Sequence, residues 1–549
     1  MCDSWHGAQC RTARGTIIGS GYHSIVKTKH YSSKMRLRPR ILTRLVALAV
    51  IATTCAGALV PLPAAAQGLP TLGDSASDTL SPLMERKLGE EIMRDIRHDP
   101  DYLDDAPVLE YLNAFGSSLV AAQPQARGEA GYDFFFFAVR DPTLNAFALP
   151  GGFIAVHSAL VLAAQNESEL ASVMAHEIGH VAQRHIARML GQQKQDALIP
   201  LAAILLGVLA SRGSHAGDAP AALVMGGQGL ALQRQLKFSR DAEREADRVG
   251  LQILQAAHFD SSGMVAFFGR MQKASRGYTD AAPAYLRSHP LTTERIADID
   301  ARIRDQPHVS RPDNLAFHLI QARLRVLQDG SAQGLREAGE WFDKQLQQKT
   351  RVQTAAAKYG LALIALKQGA TANAQALLAE ARMASLAPPD VIMTSLAIDI
   401  ALATKPGTGM PQQAQTALRQ ADAARAQFPL SRGIARQYGQ ALIAAARYQE
   451  AVDYLRDQAQ LYRAEPQVQQ VLAEAYAAQG KQALQHIALA ESYALNGSLP
   501  SALEQLTIAR RASDATFYDQ AIIDAREREL QTRWREVLKE QGKKPAPQP

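Results

Sequence analysis

Two histidines four residues apart, with a glutamate next to the first, are the residues of this chain best suited to metal chemistry. His176, Glu177 and His180 form the pattern H-E-x-x-H. On a helix, positions 176 and 180 share a face, so both imidazoles can reach one ion. Glu177 is rotated by about 100° from His176, beside the ion, where it could take a proton from an attacking water. The pattern predicts a hydrolytic site that holds one Zn²⁺ per chain.

An acidic cluster downstream can supply the third protein ligand that a catalytic zinc normally takes. Within the segment Asp241–Asp247, the carboxylates of Glu243 and Asp247 are four residues apart and share a helix face. One carboxylate can bind the ion while the other orients an imidazole. A salt-bridged helix without a metal is the alternative. Glu245 points away from this face and is expected to be a solvated charge.

His185 is expected to lie outside the ligand set. On a continuous helix it stands about 180° from His176, so it cannot reach the same ion and is interpreted as a surface or supporting histidine. The metzincin class is excluded as well. Its pattern requires glycine at position 183 and histidine at position 186, where this chain has Gln183 and Ile186.

The elements around these residues are predicted to be mostly helical, with a small sheet. The aromatic-rich segment Tyr132–Val139 favours a buried strand, and two short strands are predicted around the Pro-Gly-Gly turn at 150–152. Helical periodicity is seen over Met84–Asp99, Val108–Ala122, His157–Leu190, Leu230–Ala257 and Leu286–Ile303. The apolar run Ala197–Ala210 is too short to span a membrane and is expected to be buried or to contact lipid or substrate. A glycine-rich stretch, Ser211–Gly229, follows it.

After residue 311 the sequence is rich in Ala, Leu and Gln and has no strand signal. Small and aromatic residues recur here at a spacing of 34 residues, as in the pair Gly439 and Ala473, which indicates tetratricopeptide repeats. Ala490, Tyr493, Gly497 and Ala502 fit one repeat well, while Gln485 departs from the pattern. Such repeats stack as antiparallel helix pairs. An irregular helical bundle is the alternative.

The first 66 residues look like a targeting segment. Four arginines between Arg36 and Arg44 precede the apolar run Leu45–Val60, and Ala64–Ala66 follows it, which is typical of a secretory signal cleaved after Ala66. A membrane anchor is the alternative, but sixteen apolar residues fall short of the length that spans a bilayer. Met35 is the expected start of the protein.

Charge and cysteine content agree with export. Residues 1–66 carry nine Lys/Arg and one Asp, a net charge of +8, so the overall +6 leaves −2 for the remainder. This distribution gives no reason to expect nucleic acid as a partner. All three cysteines precede residue 67, which excludes disulfides and cysteine metal ligands from the mature chain. The predicted organisation is an extension with signal peptide at 1–66, a flexible leader at 67–81, a metallopeptidase domain at 82–305, a repeat domain at 311–540 and a disordered tail at 541–549.

Three motifs together resemble a known zinc metallopeptidase family. His176–His180 (HEIGH), Glu243–Asp247 (EREAD) and Ser288-His289-Pro290 before Arg295 are similar to the family that includes HtpX and the CAAX prenyl proteases. The soluble periplasmic branch with a C-terminal tetratricopeptide domain is the most similar. The resemblance implies an α+β zincin-type protease domain, mostly helical with a small sheet, followed by an all-α tetratricopeptide superhelix. The paired transmembrane helices of HtpX are missing.

The resemblance also assigns roles by position. His176, His180 and Glu243 are implied to be zinc ligands, Glu177 the general base, and Asp247 a carboxylate that orients a ligand. His289 is either a structural histidine before proline or, by resemblance, a group that stabilises the oxyanion or occupies the open zinc position and holds the enzyme inactive. The segment Asn145–Gly152 resembles the family's edge strand, on which an extended substrate adds; its residues are Asn145, Ala146, Phe147, Pro150, Gly151 and Gly152.

For the whole protein, the resemblance implies a periplasmic endopeptidase with a chaperone-like repeat domain. Unfolded or misassembled outer-membrane β-barrel proteins are the implied substrates, and the β-barrel assembly machinery of the outer membrane is the implied partner. Peripheral membrane contact would fit the apolar run Ala197–Ala210. The alternative is a chaperone or scaffold for outer-membrane protein assembly with minor proteolytic activity.

Overall fold

The computed structural model describes residues 80–97, 99–128, 130–191, 239–276, 284–306, 309, 314–347, 350–388, 390–403 and 410–540. The predicted signal segment, nearly all of the leader, the apolar run Ala197–Ala210, the stretch Ser211–Gly229 and the tail lie outside these residues. Among the described helices, none combines the length and the hydrophobicity needed to cross a membrane.

Two capped helices begin the described chain. α1 spans Pro82–Ile96 and α2 spans Ala106–Ala122. The side chains of Ser81 and Asp105 accept the backbone N–H groups of the first turns, and a proline occupies the first turn of each helix. Both helices were predicted from their periodicity and are confirmed.

A three-stranded sheet follows, made of β1 (Phe135–Val139), β2 (Ala146–Leu149) and β3 (Phe153–His157). The order is β1-β3-β2, with β1 parallel and β2 antiparallel to the central β3. All five residues of β3 are buried, as expected for a central strand covered on both faces. The three predicted strands are confirmed, and β2 lies at an edge of this sheet.

The turn between β2 and β3 depends on two glycines. Gly151 and Gly152 have φ angles of +77° and +94°, which favour glycine. A Cβ on Gly151 would lie 2.5 Å from the Cα of Arg86. The Arg86 guanidinium donates to the carbonyl of Gly151 at 2.8 Å, so the turn is held against α1.

Among the described residues, seven helices complete the predicted metallopeptidase domain. They are α3 (Ser158–Ala163), α4 (Glu167–Ala182), α5 (His185–Gly191), α6 (Arg240–Ala256), α7 (Ser262–Arg276), α8 (Ala284–Ser288) and α9 (Thr293–Ile303). Two helical ranges that were predicted as continuous are interrupted. The range His157–Leu190 is broken by two short connections, before α4 and at Arg184, whose φ is +50°. The range Leu286–Ile303 is broken at His289, because the following Pro290 disfavours the helical conformation there.

The remaining described helices form an all-helical array. They are α10 (Leu315–Gln328), α11 (Ala332–Leu346), α12 (Arg351–Lys367), α13 (Thr371–Ser385), α14 (Val391–Ala403), α15 (Met410–Gln427), α16 (Arg432–Ala444), α17 (Tyr448–Leu461), α18 (Pro466–Ala478), α19 (Gln482–Leu495), α20 (Leu499–Arg511) and α21 (Phe517–Glu540). α16 and α18 begin 34 residues apart, as do α17 and α19. A Cβ on Gly439 would lie 2.6 Å from Leu455 Cδ2, so a small residue is needed where α16 meets α17.

The predicted metallopeptidase domain shares a hydrophobic core with the first five helices of the array, α10–α14. Most buried side chains between Leu103 and Ile400 belong to one cluster, because α10 packs against α2 and α3. The later helices of the array form clusters of their own. Polar contacts add to it. The guanidinium of Arg323 donates to both carboxylate oxygens of Asp105 at 2.7 and 2.8 Å, and Glu110 accepts the Gly433 N–H at 2.7 Å. The boundary at residues 305–311 therefore stays a prediction, since packing is continuous across it.

Candidate metal centre

Two glycines allow the helices α4 and α6 to approach closely. A Cβ on Gly179 of α4 would lie 2.9 Å from the carbonyl oxygen of Ala246, and one on Gly250 of α6 would lie 3.2 Å from the backbone N of His176. Asn166 caps α4 by accepting the N–H of Glu169. This close crossing brings the acidic cluster of α6 against the histidines of α4.

Three predicted ligand side chains converge at this crossing, and all are buried. Nε2 of His176 lies 3.0 Å from Nε2 of His180 and 3.5 Å from Oε2 of Glu243. Nε2 of His180 lies 3.4 Å from Oε1 of Glu243. The helical spacing of four residues thus places both imidazoles on one point, as predicted.

These distances fit a zinc ion. Ligand atoms about 2.0 to 2.1 Å from a tetrahedral zinc are about 3.3 Å from one another, close to the separations of 3.0 to 3.5 Å seen here. Two facing imidazole nitrogens need a cation or a shared proton between them. The donor set of two imidazoles and one carboxylate is one that catalytic zinc uses. His176, His180 and Glu243 are therefore suited to hold Zn²⁺.

His289 joins this group from the connection after α8. Its Nδ1 lies 3.0 Å from Glu243 Oε1 and 3.4 Å from His176 Nε2, and its Nε2 lies 3.6 Å from Glu177 Oε1. The four side chains of His176, His180, Glu243 and His289 offer ligand atoms that all lie within 4.8 Å of one another. Sequence alone left His289 between a structural role and the active site; the structure places it at the metal ligands.

Glu177 is buried beside the ligands, and neither of its carboxylate oxygens has an aligned hydrogen-bond partner among the described residues. Burial raises its pKa above the ordinary value, while nearby His289 and His176 and the Ala148 amide oppose the rise. A carboxylate with a raised pKa and unused lone pairs can accept and return a proton. Its position matches the predicted general base.

The charges of the ligands are balanced by Asp247 and Arg295. Asp247 Oδ1 lies 3.0 Å from His176 Nδ1, although the approach is not aligned as a hydrogen bond. Burial lowers the pKa of His176, but Asp247 and Glu243 outweigh this and raise it to about 9. Arg295 donates to both oxygens of Asp247 at 2.7 Å and pairs with Glu243 at 2.6 Å.

Sequence reasoning missed two side chains of the site. Arg295 follows the motif Ser288-His289-Pro290, but its distance from that motif in the sequence does not indicate that it would pair with Asp247 and Glu243. Tyr285 stacks on His289 with ring centroids 4.7 Å apart, and its buried hydroxyl has no hydrogen-bond partner in the described chain. Burial and the nearby Glu177 raise its pKa well above the ordinary value. Both residues come from α8 and α9, far from the H-E-x-x-H motif in the sequence.

The break at Arg184 changes the predicted surroundings of His185 and Glu245. Of the two roles left open for His185, the surface role is wrong. His185 is buried and its Nδ1 lies 2.8 Å from Nδ1 of His180. Its Nε2 lies 3.1 Å from Oε2 of Glu245, which also accepts from Arg188 at 2.8 Å. The predicted direction of His185 holds only on one continuous helix, whereas the left-handed residue Arg184 redirects the chain and brings His185 against His180. Glu245 is therefore a paired group rather than a solvated charge.

The predicted substrate strand lies next to the general base. β2 contacts α4, and its Ala148 amide is near enough to Glu177 to lower the pKa of that carboxyl. The backbone carbonyl of Asn145 accepts the N–H of His157 at 3.0 Å, so positions 145, 147 and 149 face the ladder with β3 in the antiparallel register. The N–H and C=O groups of Ala146 and Ala148 point away from β3, but Ala146 is fully buried, and only Ala148 is partly exposed at this edge.

A separate polar cavity of about 250 Å³ lies where the helical array meets α2. It contains acidic groups from both sides, among them Asp104, Asp399 and Glu474. Burial raises the pKa of each of these carboxyl groups. The side chain of Gln437 is also buried in its wall, and Oε1 of that amide has no hydrogen-bond partner in the described residues.

Comparison with known proteins agrees with this site. The model of peptidase family M48 matches residues 111–303, which include every metal-site residue named above. The Escherichia coli (strain K12) protein named beta-barrel assembly-enhancing protease is 31% identical over 500 residues, 90% of this chain and 98% of that protein. A Vibrio cholerae serotype O1 protein whose name contains the same words is 36% identical over 329 residues, 59% of this chain and 65% of its own length. A mitochondrial metalloendopeptidase of Schizosaccharomyces pombe is 32% identical over 180 residues, 33% of this chain and 49% of its own length.

Proposed function

This chain belongs to peptidase family M48, and we propose that it is a zinc-dependent endopeptidase of the periplasm. Its substrates are outer-membrane β-barrel proteins that have failed to assemble. The observation that carries the proposal is the convergence of His176, His180 and Glu243 beside the buried Glu177. The names of the E. coli and V. cholerae relatives support the substrate class.

Zinc held by His176, His180 and Glu243 would supply Lewis-acid chemistry, polarising the scissile carbonyl and lowering the pKa of the attacking water. Glu177 accepts the proton of that water and returns it to the leaving amine. Asp247 fixes the orientation of His176, and Arg295 holds Asp247 in place. The buried surroundings strengthen each of these electrostatic interactions.

We assign His289 to a resting state. Its Nδ1 stands within 3.4 Å of the atoms that would bind the metal, so it can occupy the coordination position that substrate or water needs. Displacement of the His289 side chain would open the site, and the same imidazole could then stabilise the oxyanion. Such a resting state protects correctly folded neighbours from cleavage.

An extended substrate would bind along the free edge of β2. The outward N–H and C=O groups of Ala148 can pair with it as with an added strand. Ala148→Pro removes this donor without touching the β3 ladder, so kcat/KM should fall about tenfold or more, with zinc retained. Because the Ala148 amide also lies near Glu177, a rise in KM is the result that assigns the loss to strand pairing. Ala148→Ser keeps the donor and should remain near wild type. Equal kcat/KM in both variants would show that the substrate does not add to β2.

The helical array would select the clients. The 34-residue spacing of its helices supports the predicted tetratricopeptide superhelix, although departures such as Gln485 show that the repeats are irregular. Four carboxylates and two arginines, Arg323 and Arg436, line the cavity at the junction. This excess of acidic groups suits a client segment with a basic side chain, because desolvated carboxylates gain from an opposite charge. In this proposal the assembly machinery of the outer membrane is the docking partner, and the signal segment at 1–66 directs export.

A chaperone or scaffold with minor proteolysis is the second candidate, and the junction cavity favours it because none of the metal-site residues line that cavity. Glu177→Gln and Glu474→Lys separate the two activities, with Glu504→Lys as an exposed control. If a Glu177→Gln strain assembles outer-membrane proteins normally and a Glu474→Lys strain does not, the chaperone function is the main one.

The test of the proposed function is a pull-down from cells that express Glu177→Gln in place of the wild type. The variant should retain unfolded β-barrel proteins that the wild type cleaves. Recovery of only soluble periplasmic proteins would contradict the proposed substrate class.

A further inference from the structure

The two imidazoles that would bind zinc through Nε2 have different supports at Nδ1. His176 faces the carboxylate of Asp247, a familiar arrangement in zinc sites. His180 instead faces a second imidazole, that of His185, at 2.8 Å between the two Nδ1 atoms. His185 has no part in the proposed hydrolysis, although its side chain is buried against the predicted metal ligand His180.

The contacts determine which nitrogen carries each proton. A neutral His180 that binds a metal through Nε2 carries its proton on Nδ1, so Nδ1 of His185 must accept it. The proton of His185 is then on Nε2, where it is donated to Oε2 of Glu245 at 3.1 Å. Arg188 donates to the same oxygen at 2.8 Å and balances its charge. The reverse direction would place two protons between His180 and His185 or leave His180 without a lone pair for the metal.

Resting on the proposed zinc function, we propose that His185 and Glu245 are positioning residues that fix the tautomer and orientation of His180 for the metal. This relay links the ligand to a carboxylate through one imidazole, in the way that Asp247 acts directly on His176.

The backbone break at Arg184 is what makes the relay possible. On an uninterrupted helix, residue 185 would be about 140° from residue 180 and could not face it. Arg184 adopts a φ of +50°, in the left-handed region that side chains other than glycine rarely adopt. Its guanidinium pairs with the buried carboxylate of Glu85, which also accepts from the hydroxyl of Tyr132. The surrounding contacts thus maintain an unfavourable conformation next to a metal ligand.

The test measures zinc affinity by chelator competition in the full-length protein, together with the visible spectrum of the Co²⁺ form and the unfolding of the metal-free form. His185→Phe removes the acceptor, and zinc affinity should fall about 10- to 100-fold with a changed Co²⁺ spectrum. His185→Asn places an oxygen where Nδ1 stood, so it should recover most of the affinity. Glu245→Gln keeps the shape but loses the charge, and about a tenfold loss is expected. Glu294→Gln, which removes an exposed carboxylate, is the control.

Zinc affinities of His185→Phe and Glu245→Gln within twofold of Glu294→Gln, with unchanged Co²⁺ spectra, would overturn the relay. If His185→Phe does not fold, Glu245→Gln against Glu294→Gln decides the matter by the same criterion. The measurement is independent of cleavage. A wild type that binds zinc through this relay yet cleaves no unfolded protein would contradict the proposed function and leave the relay standing.

Discussion

At the scale of single residues, the site depends on buried charges that neutralise one another. Arg295 holds two carboxylates at once, since it pairs with Asp247 and with Glu243. All three side chains are almost completely buried. Removing one partner of such a group leaves an uncompensated charge in a region of low polarity, which costs far more than the pair itself contributes.

Arg295→Met should therefore lower the free energy of unfolding of the metal-free protein by about 3–5 kcal/mol. Arg302→Met on the same helix breaks an exposed pair with Asp298 and should cost about 0.5 kcal/mol or less. Denaturant unfolding of both variants measures the difference. Similar stability of the two variants would mean that Arg295 does not balance the ligand charges.

Helical spacing predicts that His176 and His180 share one face and that Glu243 and Asp247 share another. That the two faces meet was implied by the family resemblance and not by spacing. The position of His185 could not be predicted, since one residue with a positive φ, Arg184, cancels that spacing. The roles of Tyr285 and Arg295 could not be predicted either, for another reason. Their roles come from contacts between helices distant in sequence, which no local pattern records.

At the scale of elements, the crossing of α4 and α6 determines whether the ligands meet. The strands and most helices were predictable from apolar patterns and turn residues. The short distance between α4 and α6 was not predictable, although Gly179 and Gly250 are the residues in the sequence that permit it. A Cβ on Gly179 would meet the backbone carbonyl of Ala246 at 2.9 Å, which cannot move aside as a flexible side chain could.

Gly179→Ala should therefore separate the helices, lowering stability by about 1–3 kcal/mol and weakening zinc binding. Gly269→Ala is the matched control, because no atom lies within 4 Å of its added Cβ. Alanine is also the better helix former by about 1 kcal/mol, so this control should be as stable as the wild type or more so. Unfolding curves and zinc titrations compare the two. Unchanged zinc affinity in Gly179→Ala would show that α4 and α6 can move apart without separating the zinc ligands.

At the scale of the whole molecule, the metallopeptidase region is joined to helices α10–α14 of the array by a shared core and by an ion pair. The change in composition near residue 311 predicted two domains, and the structure has no strand after that point among its described residues. The sequence does not show that the two parts pack together, because contacts such as the pair of Arg323 and Asp105 join residues 218 positions apart. Helices α10–α14 and the metallopeptidase region are thus expected to unfold together.

Asp105→Asn tests this coupling. The variant keeps the side-chain oxygen that caps α2 but leaves the buried guanidinium of Arg323 without its counter-charge, so stability should fall by about 3 kcal/mol. Asp298→Asn, in an exposed pair, should change it by less than about 0.5 kcal/mol. The unfolding transition followed by circular dichroism should shift in Asp105→Asn and not in Asp298→Asn. Equal midpoints in the two variants would contradict the coupling.

The central claim is that zinc at His176, His180 and Glu243, with Glu177 as base, cuts unfolded β-barrel proteins. The most direct test measures the zinc content and the cleavage rate of the wild type, Glu177→Gln and Glu243→Ala. We predict one zinc per chain in the wild type and in Glu177→Gln, a rate at least about 100-fold lower in Glu177→Gln, and loss of both zinc and cleavage in Glu243→Ala. Cleavage by Glu177→Gln at the wild-type rate, or full zinc retention by Glu243→Ala, would contradict the account.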